Sequence, residues 1–182
     1  MGLFYTGKGD KGVSEVWDGK KLDKTSVELV ALGDLDELNS LLGLVRSRTP
    51  DKNNKKVLLS VQDELFTIQA NIYLLAIGRL EKAPELGEEK VRMVERIIDA
   101  LEEFVGPERG FVISGEDPEE AWLDFARAVA RRAERSAIEL NKKMALPENV
   151  LAYLNRLSSL LFAMGRASAK KRGKKEKGPS YK

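Results

Sequence analysis

The feature that most constrains the fold is the helical spacing of apolar residues in five separate segments. In the second segment they recur every three or four positions: Val57, Leu58, Val61, Leu65, Ile68, Ile72 and Leu75. Residues at this spacing share one face of an α-helix. With the Pro- and Gly-rich breaks between segments, the pattern predicts helices over about 26–48, 53–77, 88–104, 118–140 and 148–170. Five amphipathic helices joined by short breaks predict an all-α, up-and-down five-helix bundle.

Local signals refine this prediction at two helix starts. Thr25 and Glu28 have the spacing of a capping box, and Asp117-Pro118 places a proline at the first helical position. The apolar run 111–115 is too short for a helix, so we expect an extended loop there.

The 182 residues suit one domain, which we place at residues 1–169. Residues 1–24 form an irregular, glycine-rich N-terminal segment within it, with a turn signal at Asp18-Gly19. Residues 170–182 carry seven basic side chains and one acidic one, and we expect a mobile basic tail.

The chain contains no His and no Cys. This excludes disulfides, thiol nucleophiles, Cys- or His-ligated metals and a Ser-His-Asp triad. Catalysis must then rely on carboxylates, Lys, Arg, hydroxyls, a hard metal ion such as Mg²⁺, or the reactivity of the substrate itself. No apolar stretch is long enough to span a membrane and no secretory signal is recognisable, so we expect a cytoplasmic protein.

The fourth helix carries an apolar face and, opposite to it, a charged one. The apolar face is predicted to contain Trp122, Phe125, Val129, Ala133, Ala137 and Leu140. Arg127, Arg131 and Glu134 lie within about 60° of one another on the other side. Spacing alone favours a solvated face with ion pairs; the alternative is an anion site, since Arg matches phosphate or carboxylate geometry.

Three other features are ambiguous when taken singly. Small and polar residues follow one stripe of the first helix: Gly33, Asp36, Asn39, Ser40 and Gly43. They suit a close helix contact or a ligand site equally well, and Asp36 is a candidate partner for an arginine of the fourth helix. The glycine loop at residues 6–12 has the composition of a phosphate-binding loop, but it matches neither the P-loop nor the dinucleotide pattern. Asn155 alone is more typical of a solvated patch.

Taken in order, five segments resemble the PduO-type ATP:cob(I)alamin adenosyltransferases. They are YTGKGDKG at residues 5–12, GDLDELNS at 33–40, FVISG at 111–115, ARAVARRAER at 126–135 and LNRLS at 154–158. The segments span nearly the whole chain, and those at 33–40 and 126–135 are the most specific.

The resemblance implies a homotrimer of ferritin-like five-helix bundles, which binds ATP between adjacent subunits with Mg²⁺ at the triphosphate. By matching position, the ATP loop comprises Thr6, Gly7, Lys8, Gly9, Asp10, Lys11 and Gly12. Arg131, Glu134 and Asn155 are expected to contact the nucleotide.

The same resemblance pairs Arg127 with Asp36 across the subunit interface, and we expect these two residues and Arg131 to be catalytic. It places Phe111 on the cobalamin side, where it helps to keep a lower axial ligand off cobalt.

The implied reaction fits a chain without His and Cys. Cob(I)alamin is itself a strong nucleophile that attacks the 5′ carbon of ATP and releases triphosphate, so the protein aligns the reactants and stabilises charge. A cobalamin reductase or a cobalamin-dependent enzyme is an expected partner.

Three positions depart from the family pattern. Gly7 replaces a basic residue, Ser114 a proline and Ser159 an aspartate. Gly7 and Ser159 motivate an alternative hypothesis, a non-catalytic ATP- or cobalamin-binding trimer of the same fold. The weakest hypothesis is a nucleic-acid binder that uses the basic tail, because no binding motif supports it.

Overall fold

A computed structural model describes residues 5, 7–16, 19–106, 110–175 and 177–181. The chain begins with an antiparallel hairpin whose strands are β1 (Val13–Glu15) and β2 (Lys21–Asp23). Five helices follow: α1 (Val27–Arg48), α2 (Lys52–Ala76), α3 (Glu88–Val105), α4 (Pro118–Asn141) and α5 (Glu148–Lys171). The predicted five-helix fold is confirmed, and each helix bound agrees with its prediction to within one residue.

The helix starts differ in how well they were predicted. Asp117 caps α4 as expected, because its Oδ1 accepts hydrogen bonds from the amides of Glu119 (3.0 Å) and Glu120 (3.2 Å). The capping box at Thr25 is wrong. The side chain of Ser26 caps α1 by accepting from the amide of Leu29 at 3.4 Å, while the Thr25 hydroxyl donates to Asp23 at 2.6 Å.

The hairpin is an addition to the predicted architecture, since the sequence indicated only an irregular segment with a turn. Ser14 lies opposite Leu22 in the register, and Gly19 adopts a φ of 74° in the connection. The Lys20 ammonium group donates to the carbonyl of Ala76 at the end of α2. This bond fixes the hairpin at the negatively polarised end of that helix.

In the bundle, α1 packs between α2 and α4, and α5 packs between α3 and α4. α1 and α4 are antiparallel: Thr49, just after α1, donates to Glu119 at the start of α4, and Ser136 donates to Asp34 towards the other end. Small residues allow α4 to approach two neighbours: Ala126, Ala130, Ala133 and Ala137 are all buried.

The core is built mainly from leucine, isoleucine, valine and alanine. Its largest fully buried members include Leu35, Leu38, Leu42, Leu58, Leu65, Ile68, Ile72, Leu123, Leu154 and Leu157. Phe125, which was predicted on the buried face of α4, is instead 52% exposed, because it lies about 110° from the centre of the alanine face. None of the helices in the described ranges is long and apolar enough to cross a membrane.

Candidate active site

A groove of about 980 Å³ runs over α5, with the end of α3 on one side and the first half of α4 on the other. Segment 110–112 closes one end. The groove is lined by Glu102, Glu103, Val105, Gly106, Gly110, Phe111, Val112, Asp124, Arg127, Arg131, Ser158, Ser159, Phe162, Ala163 and Arg166. The structure thus brings three predicted site residues, Phe111, Arg127 and Arg131, into one cavity.

The α4 side of the groove is basic. The half-buried Arg127 donates from Nε to Asp124 at 2.6 Å, an ion pair that holds its guanidinium in place. Arg131 follows one turn later and is exposed. Arg132 points the other way and binds Asp34 of α1 at 3.4 Å. Arg127 and Arg131 therefore share the face of α4 that lines the groove, as their spacing predicts.

Beyond Arg131, a hydrogen bond between two predicted site residues, Glu134 and Asn155, joins α4 to α5. The amide Nδ2 of Asn155 donates to Oε1 of Glu134 at 2.8 Å, and its Oδ1 accepts from Nη1 of Arg156 at 2.8 Å. Arg156 in turn donates from Nε to Glu95 of α3 at 2.8 Å. This polar chain crosses three helices and fixes the orientation of the exposed Asn155.

The closed end of the groove is aromatic. Phe111 is 80% exposed and Phe162 is 40% exposed, so both rings are available to an apolar ligand. The guanidinium of Arg166 lies over the Phe162 ring, 5.5 Å from its centroid, a cation–π contact. Arg166 was not among the site residues predicted from the sequence. The pattern that indicates it is a single charged residue within the otherwise small and apolar run at 163–167.

The α3 side of the groove is acidic. Glu102 and Glu103 occupy the last turns of α3, where the helix carries no basic residue. Helix C-termini are negatively polarised, so the two carboxylates add to a negative end. The groove therefore has one basic and one acidic side, and an anion is favoured at α4 over α3.

The glycine loop lies away from this groove. Gly7 and Gly12 have φ values of 69° and 79°, and Lys8 pairs with Glu15 of β1 at 3.1 Å. Thr6 lies outside the described residues. Among those described, no loop residue lines the groove. The loop precedes α1, and α1 is antiparallel to α4, so within one chain the loop and the groove lie towards opposite ends of α4.

The stripe on α1 is largely a surface feature. Gly33, Asp36 and Ser40 are exposed, Asn39 is buried, and a Cβ at Gly43 would lie 3.2 Å from Gln62. α4 reaches α1 with Arg132 and Ser136, which contact Asp34 and Glu37. Asp36 and Arg127 face away from this contact. Their expected pairing across a subunit interface remains a prediction.

The basic tail turns back onto its own chain. Lys170 donates to the carbonyl of Val105 at 2.8 Å, Lys171 pairs with Asp51 at 2.8 Å and Lys177 with Glu116 at 3.0 Å. Arg172 pairs with Asp117 at 2.6 Å. Lys171, Arg172 and Lys177 thus pair with carboxylates of the chain itself, which reduces the charge that motivated the nucleic-acid hypothesis.

The described residues bring together no group of three or more metal-binding side chains. Mg²⁺ typically uses one or two carboxylates together with the phosphates of a substrate. The predicted site residues that carry a carboxylate are Asp10, Asp36 and Glu134, and of these Glu134 lies on α4.

A family model described as cobalamin adenosyltransferase matches residues 4–168. A corrinoid adenosyltransferase of Bacillus subtilis is 36% identical over 167 residues, which cover 90% of this chain and 84% of that protein. A corrinoid adenosyltransferase of Citrobacter freundii is 33% identical over 166 residues, covering 91% of this chain and 94% of that protein. The corrinoid adenosyltransferase PduO of Salmonella typhimurium is 33% identical, but the chain spans about half of its length (49%).

Solved structures show the same fold. A phenylalanine-to-histidine variant of a PduO-type ATP:corrinoid adenosyltransferase from Lactobacillus reuteri, complexed with cobalamin and ATP, has a TM-score of 0.89. It is 25% identical, and the match covers 98% of this chain and 97% of that one. An arginine-to-lysine variant complexed with ATP has a TM-score of 0.86 at 27% identity, covering 97% and 99%. The match across residues 4–168 and these likenesses place the chain in the cobalamin adenosyltransferase family.

Proposed function

We propose that this protein transfers the 5′-deoxyadenosyl group of ATP to cob(I)alamin, giving adenosylcobalamin and triphosphate. The observation that carries the proposal is the groove that collects Phe111, Arg127 and Arg131 in a chain of this family. It offers an arginine surface for an anion and an aromatic end for an apolar ring system, which are the two recognition tasks of the reaction.

The α4 side supplies the nucleotide contacts. Arg131 is exposed at the groove and suits a phosphate oxygen of the departing triphosphate. The Glu134–Asn155 pair, held at 2.8 Å, offers a preorganised acceptor and amide to the nucleoside. Fixed donors aimed at developing negative charge stabilise the transition state without reorganisation.

The aromatic end supplies the corrinoid contacts. Phe111 presents an exposed ring on the loop that closes the groove. An apolar ring below cobalt offers no hydrogen bond to an axial base and occupies the space that the base would need. We propose that Phe111 in this way favours a four-coordinate cobalt, which is easier to reduce.

The reaction needs no protein nucleophile. The electron pair of Co(I) forms the bond to the 5′ carbon, the bond from that carbon to the phosphate oxygen breaks, and triphosphate leaves with the electron pair. No proton is transferred, so the absence of His and Cys is compatible with full activity. The contribution of the chain is alignment and charge stabilisation.

The complete site is proposed to form between subunits of a homotrimer. Within one chain, the glycine loop is remote from the groove and Asp36 faces away from Arg127. A neighbouring subunit would bring its loop and its Asp36 to the groove, with Gly9, Asp10 and Lys11 beside the phosphates. We also propose that Mg²⁺ is carried by the phosphate oxygens, with Glu134 as the carboxylate that α4 supplies.

The test is anaerobic incubation with ATP, Mg²⁺ and chemically reduced cobalamin, followed by the absorbance change that accompanies Co–C bond formation. We expect ATP-dependent formation of adenosylcobalamin, and Arg131→Ala as the matched site variant should slow it. Absence of product with both substrates bound would overturn the proposed activity.

A second candidate is a non-catalytic binder of ATP or cobalamin. It is favoured by one observation: Ser159, which replaces a family aspartate, lies exposed on the groove and removes a carboxylate there. Calorimetry distinguishes the candidates, because this one predicts ATP binding without product. Ser159→Asp should then restore turnover.

A further inference from the structure

The chain reverses direction directly after α5 and returns along the loop that carries Phe111. Gly173 adopts a φ of 65°, and the amide of Lys174 donates to the carbonyl of Ala169 at 3.0 Å. These features are typical of a glycine C-cap that ends a helix in a turn. Residues beyond the turn therefore lead back towards segment 110–117.

The first anchor of this return is Arg172. Its Nη1 donates to both carboxylate oxygens of Asp117 at 2.6 Å, and its Nη2 donates to Glu119. Asp117 and Glu119 are buried, and Glu119 also accepts from Asn54 at 2.9 Å. Charge-assisted bonds to buried carboxylates are strong, so the end of α5 is tied to the residue that caps α4.

The second anchor is Lys177, which contacts the loop itself. Its carbonyl accepts from the amide of Ile113 at 2.8 Å, and its ammonium group pairs with Glu116 at 3.0 Å. The next residue, Gly178, lies so close to the carbonyl of Phe111 that a Cβ would sit 3.5 Å from it. The returning chain thus contacts the loop at three points.

In the described part of the chain, the Phe111 loop is otherwise held at its far end, where the amide of Gly115 donates to Glu120 at 2.8 Å. The Phe111 side chain is 80% exposed, and its loop contains two glycines, Gly110 and Gly115, the latter with a φ of 119°. Ordering such a segment costs backbone conformational entropy at each residue. An exposed ring can have a fixed direction only if its backbone is held from outside, and the contacts of Lys177 and Gly178 provide this.

We propose that the return segment is a positioning element for the reaction: Arg172 and Lys177 hold the Phe111 loop so that its ring points into the groove. The inference rests on the proposed adenosyl transfer and adds to it residues outside the groove lining. They act through Phe111 and touch neither substrate.

A positioning role predicts a selective defect. In the Co(II) state cobalamin carries a lower base that binds cobalt and must leave before reduction to Co(I), whereas cobinamide lacks this base. If the return segment places Phe111 against the lower face of the corrinoid ring, loss of the segment should impair the reaction of cobalamin, whose lower base must be displaced. The other substrate, ATP, lies on the α4 side and is not affected.

The test compares two truncations of the full-length protein. Ending the chain after Lys174 keeps Arg172 and the helix cap but removes Lys177; ending it after Ser180 keeps both anchors and is the control. The assay starts from the Co(II) corrinoid with a reductant too weak to reduce it in free solution. For the first truncation we then expect a fall in kcat/KM with cob(II)alamin of about tenfold to a hundredfold, the order expected for a misplaced site group. We expect a much smaller fall with cob(II)inamide under the same conditions and an unchanged Kd for ATP.

Two further readouts separate positioning from folding. The fraction of bound cob(II)alamin in the four-coordinate state, measured by electron paramagnetic resonance with ATP present, should fall in the first truncation alone. Lys177→Glu and Glu116→Lys should each reduce turnover from cob(II)alamin in the same assay, and the double variant should recover it through the reversed ion pair.

The outcomes are distinguishable. Equal losses with both corrinoids, or no loss with either, overturn the positioning role. Loss of ATP affinity together with a lower melting temperature shows a scaffold role and also overturns it. If the parent protein turns over neither corrinoid, the proposed function fails, whereas an active parent with an unselective truncation refutes the positioning inference alone.

Discussion

Arg131 and Arg135 lie one turn apart on α4 and both are exposed, but of the two Arg131 lines the groove. We expect Arg131→Ala to weaken ATP binding by about tenfold to a hundredfold, because a hydrogen bond to a charged group contributes about 1.5–3 kcal/mol. Arg135→Ala is the matched control and should leave the Kd unchanged. Calorimetry measures both values, and circular dichroism should show equal helicity. Equal losses in the two variants would contradict the assigned role.

Asp117 links acid stability to the end of α5. Burial by itself raises the pKa of Asp117, but the hydrogen bonds from Arg172 and from the amides of Glu120 and Glu119 outweigh it, and the pKa lies below its ordinary value of 3.8. A carboxyl group with a lowered folded-state pKa stabilises the fold above its unfolded pKa, and this stability is lost as pH falls through the folded value. The free energy of unfolding should therefore decrease below about pH 4.

Asp117→Asn tests this link. At pH 7 it should lower the free energy of unfolding by about 1–3 kcal/mol, less than for a fully buried pair, because Arg172 is 32% exposed. It should also flatten the decrease below pH 4. Urea titrations at several pH values measure both effects, with Asp99→Asn on the exposed face of α3 as the control. A parallel pH dependence in Asp117→Asn and the parent would refute the link.

At the scale of elements, the five helices could be predicted because periodicity and Pro or Gly breaks are local properties of the sequence. The cap of α1 could not. Thr25 and Ser26 are adjacent hydroxyl residues, and either one has a side chain that can cap the helix. Asp23 at the end of β2 accepts the hydrogen bond of the Thr25 hydroxyl, which leaves Ser26 as the cap. The pairing of β1 with β2 and the bond from Lys20 to Ala76 join parts of the chain that no local pattern relates.

The corrected cap gives a direct prediction. Ser26→Ala should lower the free energy of unfolding by about 1 kcal/mol, since it removes the acceptor for the Leu29 amide. Thr25→Ala should cost less, because its hydroxyl bonds Asp23 outside the helix. Thermal or urea unfolding of the two variants measures the difference. A larger loss for Thr25→Ala would restore the capping box inferred from the sequence.

At the scale of the whole molecule, the sequence predicts which helix faces carry site residues, but it does not predict which faces meet to form the groove. Arg127 and Arg131 share a helix face, so periodicity finds them. Arg166 and Glu103 line the groove from α5 and α3, and their proximity to α4 arises from packing between helices distant in the chain. The return of the tail to Phe111 is likewise a long-range contact, and the charge of the tail gave no indication of it.

The remoteness of the glycine loop and Asp36 from the groove leads to a prediction about assembly. If each site takes Asp36 from one subunit and Arg131 from its neighbour, Asp36→Ala and Arg131→Ala should each lose activity. Mixed trimers of the two variants should regain it, because every mixed ring with cyclic symmetry contains one site with both native residues. Random mixing of equal amounts should restore about a quarter of the native activity.

The experiment is co-refolding of the two inactive variants, with each variant refolded alone as the control and size-exclusion chromatography to verify the trimer. The double variant Asp36→Ala/Arg131→Ala should remain nearly inactive when it is co-refolded with either single variant. The reason is that both partners then lack the same residue, so no interface has both native side chains. If activity recovers in the mixture of the two single variants and in no other mixture, two chains must contribute residues to one site. A mixture that stays inactive while trimeric would place Asp36 and Arg131 in the same site of one chain, against the opposed faces that α1 and α4 present in this fold.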